Sequence, residues 1–349
     1  MRNKVLSIIQ KEIDLNHIPG AVITVSYQGK IILEEAIGHS AVYPKKSAMK
    51  MDTIFDLASL TKVVATLPML LKLIDHGDIW LDDPVSYFIP EFAQQGKEAV
   101  RLRDLLTHTS GLPAHIQYYL EDLSTDEVMQ RIYNQPLLYE TGSKVVYSDL
   151  GFITLYKVIE VVTKQKFEQF VQSELFTPLE MFETGFNPSF PKERYAATEY
   201  SEKLASYKQG TVHDDNTELM GGISGHAGLF STIRDLQNYA TMIENNGIFK
   251  GKRVLSEAVT ELSKRNYSRF DQEHRGLGWI LKSPTLSSCG DIFSDQSYGH
   301  TGFTGTSIWF DPTIQLHMIL LTNRVHFGRE PNYIMRLRPR LHNLIRSYF

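Results

Sequence analysis

Apolar residues recur along this chain with periods that separate its two ends from its middle. Val5 to Leu15 reads as a short amphipathic helix, ended by Asn16-His17-Ile18-Pro19-Gly20. Two β-rich runs follow, Ala21 to Tyr27 and Ile31 to Gly38, joined by Gln28-Gly29-Lys30, a hairpin signal. A polar loop from Tyr43 to Asp52 leads to Val63, Val64, Leu67, Leu70, Leu71 and Ile74, which repeat at helical spacing; Pro68 within them predicts a kink. From Ser59 to about Phe170 the pattern is mostly helical. It includes a helix starting at Ser124, with Glu127 in capping-box spacing, and another spanning Phe152 to Gln165. Residues near 175–220 are loop-rich, with Pro178, Pro188 and Pro191. A further helix is predicted between Ser231 or Thr232 as cap and Gly247 as stop.

The last hundred residues turn β-rich again. Gly276–Lys282, Gly299–Pro312 and Ile314–Arg324 read as strands, and a final helix from about Tyr333 to Tyr348 is predicted to break or restart at Pro339. The economical fold is α+β: one antiparallel sheet built from both termini and flanked by helices. The sheet domain would comprise residues 1–58 and 221–349. A mainly helical domain, residues 59–220, would be inserted between them, with the active site at the interface.

Composition narrows the function classes. The 349 residues are 42% hydrophobic and 22% charged, the balance of a soluble globular protein, with a net charge of −4. No basic field invites a nucleic acid or an anionic membrane. The single cysteine, Cys289 in "SSCGD", allows neither an intramolecular disulfide nor a thiolate cluster, and reads as a small residue near a turn. No transmembrane segment appears. Val5–Ile9 is too short for a signal-peptide core, so the chain as given is expected in the cytoplasm; a chain cut after a natural signal would read identically, leaving the cell envelope or secretion open.

Chemistry concentrates in three stretches. The pattern Ser-x-x-Lys occurs at Ser47/Lys50, Ser59/Lys62 and Ser189/Lys192. Only Ser59 heads an apolar helical run, where its hydroxyl lies near unpaired backbone donors and Lys62, one turn on, shares its face. An ordinary helix cap is the competing reading of Ser59. The second stretch is Tyr147-Ser148-Asp149, in which a phenol tuned by a nearby cation can relay a proton, or in which Tyr147 merely packs before a helix capped by Ser148. The third is "GHTGFTGTSIWFDP", whose glycines allow a substrate backbone to lie close to His300 and Thr301. His108 and His226 read as histidines that satisfy loop backbone groups, with His226 also able to line the cleft.

In this order the three stretches resemble the serine β-lactamase and penicillin-binding-protein superfamily, whose signature is Ser-x-x-Lys, Tyr-x-Asn and Lys-Thr-Gly. The likeness is to the class C-like branch, with its D-amino-acid peptidase, amidase and carboxylesterase members. Leu102–Pro113, Gly225–Thr232 and Gly276–Trp279 resemble it too, and the likeness runs from Ile18 to Arg324. It implies a β-lactamase/transpeptidase-like fold and a serine hydrolase working through an acyl-enzyme. Ser59 would be acylated, Lys62 and Tyr147 would share the base role, and the amides of Ser59 and Phe303 would form the oxyanion hole. Asp149, His300, Thr301, Gly302 and Arg324 would contact substrate. No cofactor or metal is implied, and the partner is a small-molecule or peptide substrate.

Two positions depart from the signature. Asp149 stands for Asn, so a carboxylate replaces an amide donor; it would hold Lys62 as an ammonium or receive a substrate amine. His300 stands for Lys, and an imidazole of ordinary pKa is only about one-quarter protonated at pH 7, so carboxylate binding should weaken and vary with pH. That argues against a dedicated β-lactamase. Arg324 would supply a carboxylate contact, or is a surface arginine. The favoured substrates are peptidoglycan-derived peptides or muropeptides, with weak β-lactam recognition; a promiscuous carboxylesterase or a non-catalytic sensor of cell-wall fragments are the alternatives. The loops from His115 to Leu123 and near 200–220 are expected to build the acyl pocket. A metal hydrolase lacks a His-Glu-x-x-His pair, and "GISGH" misses the Gly-x-Ser-x-Gly elbow of α/β-hydrolases.

Overall fold

The computed structural model describes residues 1–330 and 332–349. Its frame is a seven-stranded antiparallel sheet formed by strands from the two ends of the chain. These are β1 (Gly20–Tyr27), β2 (Lys30–Ala41), β3 (Ser47–Ala48), β4 (Ile280–Leu281), β5 (Tyr298–Thr301), β6 (Ser307–Asp311) and β7 (Leu316–Thr322), in the spatial order β4-β5-β6-β7-β1-β2-β3. β1 and β2 form the predicted hairpin, and β1 joins the two ends by pairing with β7, Ile23 opposite Leu320. As a central strand β1 is buried on both faces, so it reads as a continuous apolar run.

The period-2 alternation of its side chains divides the core. Ala21, Ile23 and Val25 point to one face, where they meet Val5 and Ile9 of α1 (Arg2–Asp14) and Leu337, Leu341 and Ile345 of the last helix. Val22, with Ile308, Ile319 and Leu321, faces the opposite layer. There the main helices are α2 (Leu67–His76), α3 (Thr125–Tyr133), α4 (Asp149–Thr163) and α5 (Ile233–Glu244), and α6 (Ile334–Arg346) closes the chain on the first face. No helix among the described residues is long and apolar enough to cross a membrane.

Local chemistry sets the helix ends. Ser124 and Glu127 make the expected capping box on α3, and Thr232, not Ser231, caps α5. Gly247, at φ +89°, turns the chain after α5. Three expectations change. The run Gly276–Lys282 contributes only Ile280–Leu281 to the sheet, because Gly278 has φ +69° and its N–H leaves to bond Leu106 O at 2.8 Å. Gly299–Pro312 is two strands, β5 and β6, with a tight turn at residues 302–306. Pro339 neither breaks nor restarts α6; the carbonyl it leaves without a donor belongs to Met335, exposed in the helix's first turn.

Candidate active site

Ser59 lies in a single 3₁₀ turn, Ala58–Leu60, directly after a short strand at Phe55–Asp56. Ala58 adopts φ +47°, a left-handed conformation that costs energy for a residue with a Cβ. The buried Asp56 carboxylate holds it there: Oδ1 accepts the Ala58 N–H at 2.8 Å and Oδ2 the His213 N–H at 2.6 Å. Burial raises the Asp56 pKa, and these backbone donors oppose the rise. From below, the hydroxyls of Thr304 and Thr306 donate to the carbonyls of Asp56 (2.8 Å) and Leu57 (3.0 Å). The cap reading of Ser59 fails, since its side chain caps no helix; its Oγ instead accepts from Lys62 Nζ at 3.1 Å.

After Ser59 the chain widens into a π-helical turn, Lys62–Thr66, before α2 begins. Pro68 occupies the start of α2, where a missing N–H is tolerated, so the predicted mid-helix kink does not form and the change of pitch comes just before it. Lys62 is fully buried. Its Nζ donates to Ser59 Oγ, to Asp149 Oδ1 at 2.8 Å and to His226 O at 3.3 Å, and lies 4.7 Å from the Tyr147 ring centroid. Burial is the strongest influence on its pKa and pulls it down, but Asp149 and Tyr147 together outweigh burial and raise it above the lysine norm. Burial likewise works against the Asp149 charge, yet Lys62, then His226 and His115, hold that carboxyl far below its usual range.

Tyr147 precedes the Ser148 N-cap of α4. Ser148 does not cap with its side chain: its Oγ donates to Pro113 O at 2.6 Å, and its N–H donates to His108 Nδ1 at 3.0 Å. His108 therefore satisfies a loop backbone group, as its setting suggested. The buried Tyr147 hydroxyl makes no well-aligned hydrogen bond within the described residues. Burial raises its pKa, while Lys62 and Ser59 lie near enough to pull it partly back.

The third stretch closes over Ser59. Gly302 is required there, because a Cβ would come 2.1 Å from Thr306 Oγ1 and 2.4 Å from Leu57 O. Neither the Ser59 nor the Phe303 amide donates to another group among the described residues. His300 is buried; its Nδ1 lies 2.9 Å from Thr301 O, and its Nε2 has no partner. Burial first, then the charges of Lys62 and Arg275, hold this imidazole well below the usual histidine pKa. The ordinary pKa expected for His300 does not hold: its buried setting favours the neutral imidazole. Arg324 is not on the surface either. It is buried, donates Nε to Phe303 O at 3.0 Å and Nη1 to Arg329 O at 2.8 Å, and stacks its guanidinium 4.6 Å from the Phe303 ring centroid.

Two cavities meet at Ser59 and Tyr147. One, of about 340 Å³, is lined by Asp149, His115, Tyr119, Asp214, His226 and Phe303, so both loops expected to build the acyl pocket contribute side chains to this cavity. The other, of about 280 Å³, is lined by His300, Thr301, Gly302, Arg275, Arg324 and Arg338. Ser59, Tyr147, Asp149, His300, Thr301, Gly302 and Phe303 line one cavity or both, while Lys62 is buried beside them and lines neither. No hydrogen bond joins Ser47 to Lys50 or Ser189 to Lys192 among the described residues. Sequence reasoning named the loops but gave no individual role to His115, whose Nδ1 lies 3.4 Å from Asp149 Oδ2, or to Asp214, which lies 3.1 Å from His226 Nε2. It missed the buried arginines Arg275 and Arg338; lone charged residues in loops and on helix faces carry no local pattern that marks them.

Comparison with known proteins agrees with this geometry. A family model described as Beta-lactamase matches residues 7–338. The N-acetylmuramyl-L-alanine amidase of Bacillus subtilis (strain 168) is 32% identical over 359 residues, which cover 93% of this chain and 81% of the relative. Among solved structures, the octameric penicillin-binding protein homologue of Pyrococcus abyssi superposes with a TM-score of 0.76 at 22% identity, covering 99% of this chain and 77% of its own. EstCE1, described as a hydrolase with promiscuous acyltransferase activity, also reaches a TM-score of 0.76, at 23% identity over 96% of this chain and 97% of its own. The chain belongs to the Beta-lactamase family and is a serine hydrolase of that fold.

Proposed function

We propose that the chain hydrolyses an amide bond in peptidoglycan-derived peptides or muropeptides through an acyl-enzyme on Ser59. The observation that carries this reading is the position of Lys62, which touches Ser59 Oγ and Asp149 Oδ1 at once, beneath the Tyr147 ring. With Lys62 held as an ammonium by Asp149, the base role falls to Tyr147 as phenolate. Ser59 Oγ attacks the substrate carbonyl carbon as its proton passes to Tyr147. The resulting oxyanion is received by the Ser59 and Phe303 amides, which no other group uses among the described residues. Collapse breaks the C–N bond, and Tyr147 returns its proton to the leaving nitrogen. Water then attacks the acyl carbonyl as Tyr147 takes its proton; collapse breaks the acyl C–Oγ bond, Tyr147 returns that proton to Ser59 Oγ, and the carboxylic acid leaves.

The substrate class is supported by the amidase name of the Bacillus relative and by the polar lining of the larger cavity. We place the acyl side there, where His115, Asp149 and Asp214 offer polar contacts, and the leaving group beside His300, Thr301 and Arg324. Residues 1–58 and 221–349 form the sheet unit in this reading, and 59–220 the inserted helical unit, which brings Ser59, Lys62 and Tyr147 to face β5.

A fluorophosphonate probe followed by peptide mass spectrometry tests the mechanism: Ser59 should be modified, and Ser47 and Ser189 spared. Ser59→Ala should lower turnover of p-nitrophenyl acetate and of purified muropeptides by roughly 10⁴-fold or more. Unchanged turnover in that variant would remove the nucleophile. Esters cleaved readily with every muropeptide left intact would move the substrate assignment to carboxylesters.

A further inference from the structure

The proposed base is poorly placed to lose its proton. Tyr147 is buried and adjoins the Asp149 carboxylate, and both raise the cost of a phenolate. Lys62, 4.7 Å from the ring, divides its charge between Tyr147 and a 2.8 Å ion pair with Asp149. The two histidine rings nearest Tyr147 bring no positive charge. The His108 ring, 4.5 Å away, and His300, 6.1 Å away, are both held well below their usual pKa by burial.

One cation remains. The Arg275 guanidinium lies 5.4 Å from the Tyr147 ring centroid, in a residue only 4% exposed. Its Nη2 is engaged by Glu273, whose side chain is 47% exposed and so largely screened, while Nε and Nη1 have no partner among the described residues. The backbone that delivers it is firmly held: Arg275 N–H donates to Ser268 Oγ at 2.7 Å and its carbonyl accepts from Tyr267 N–H at 2.8 Å. The next residues are the Gly276–Trp279 stretch, which has no other assigned role. Leu277 N–H bonds Ser263 O at 2.9 Å, and a Cβ on Gly276 would approach the same oxygen to 2.5 Å.

We propose that Arg275 is a positioning residue for the reaction: its buried guanidinium supplies the uncommitted positive charge that stabilises Tyr147 as phenolate while Ser59 is being acylated. The proposal rests on the serine hydrolase reading above and adds to it a residue that lines the smaller cavity and acts through Tyr147, with no hydrogen bond to Ser59 among the described residues. It also gives the Gly276–Trp279 turn a purpose, since a tight, anchored turn fixes the guanidinium against the ring.

The test is the pH dependence of Ser59 modification by a fluorophosphonate probe, and of p-nitrophenyl acetate hydrolysis, in folded protein. In Arg275→Gln the rising limb of both profiles should move up by about one pH unit, with kcat reduced and KM unchanged. Arg275→Lys, which keeps the charge, should restore most of the wild-type profile. Glu273→Gln, at a site exposed enough to tolerate the change, removes the carboxylate from the guanidinium and should move the limb the opposite way, by a smaller amount. That variant decides the matter even if Arg275→Gln does not fold. Profiles of Arg275→Gln or Glu273→Gln that superimpose on wild type would overturn the role of Arg275 while leaving Ser59 as nucleophile. A wild-type chain that the probe does not label at Ser59 would overturn both.

Discussion

A carboxylate 2.8 Å from a fully buried ammonium changes what each group can do. Asp149 keeps Lys62 protonated, so Lys62 serves Ser59 as a hydrogen-bond donor and a charge. In Asp149→Asn the strongest influence raising the Lys62 pKa disappears and burial prevails. The amine then loses its proton nearer neutrality and becomes available as a base, so the acid limb of the acylation profile should move to lower pH. The folded variant should be destabilised by about 3 kcal/mol at neutral pH, because a buried cation has lost its partner. Its Lys62 pKa now lies below the unfolded value, so that deficit should shrink as pH rises towards about 10.4. Denaturant midpoints measured near neutrality and at alkaline pH check the sign. At this scale the sequence was informative wherever neighbours in the chain are neighbours in space. Ser59 and Lys62 are three apart in one helical turn, and Asp149 announces itself two residues after Tyr147. The neutrality of His300 and the approach of Arg275 to Tyr147 were not legible, since both depend on burial by residues far away in sequence.

The element carrying Ser59 shows how a helix can depart from regular geometry. Its 3₁₀ turn, π turn and α-helix succeed one another within residues 58–76, and side chains from distant elements hold the irregular part. Thr66 Oγ1 donates to Gly225 O at 2.6 Å, and the buried Tyr239 hydroxyl of α5 donates to Val63 O inside the π turn. Tyr239→Phe should therefore cost about 1–2 kcal/mol of stability, the value of a buried carbonyl losing its donor. It should lower the denaturant midpoint without changing the slope, and slow Ser59 modification as the turn loosens. Elements with strong local signals were readable: the β1–β2 hairpin, the Ser124 capping box and the Gly247 stop. Pro68 was correctly marked as a disturbance, but its form was set by the tertiary bonds just named. The glycine stretches at 276–278 and 302–306 look like strand in sequence because their flanks are apolar. Only the approach of Leu106, Ser263 and Leu57 turns them out of the sheet.

At the scale of the molecule, several joints between distant segments are carboxylates. Asp149 and Asp214 stand in the cleft, and Asp311 at the end of β6 meets Arg346 of α6 at 2.9 Å. Glu199 links His213 (3.0 Å) to Arg329 (2.7 Å), beyond the end of β7. Burial opposes the charge on Glu199, but these partners outweigh it and pull its pKa down to about 2; Asp149, Asp214 and Asp311 are lowered too. A carboxyl with a lowered folded-state pKa contributes stability above its unfolded value, about 4, and loses that contribution as pH falls through the folded one. Asp56, Asp104 and Asp235 have raised pKa values and lean the other way, so the slope measures the excess of the first group. Thermal midpoints should fall steadily as pH drops from about 5 towards 2. Glu199→Gln isolates one joint. It should destabilise the chain by up to about 3 kcal/mol at neutral pH, the equivalent of its shift, and flatten the curve below about pH 4.5. A variant curve running parallel to wild type throughout would mean that the Glu199 joint opens without weakening the fold. The acid response would then belong to the cleft pair and to Asp311, and Asp311→Asn would be the substitution that flattens it.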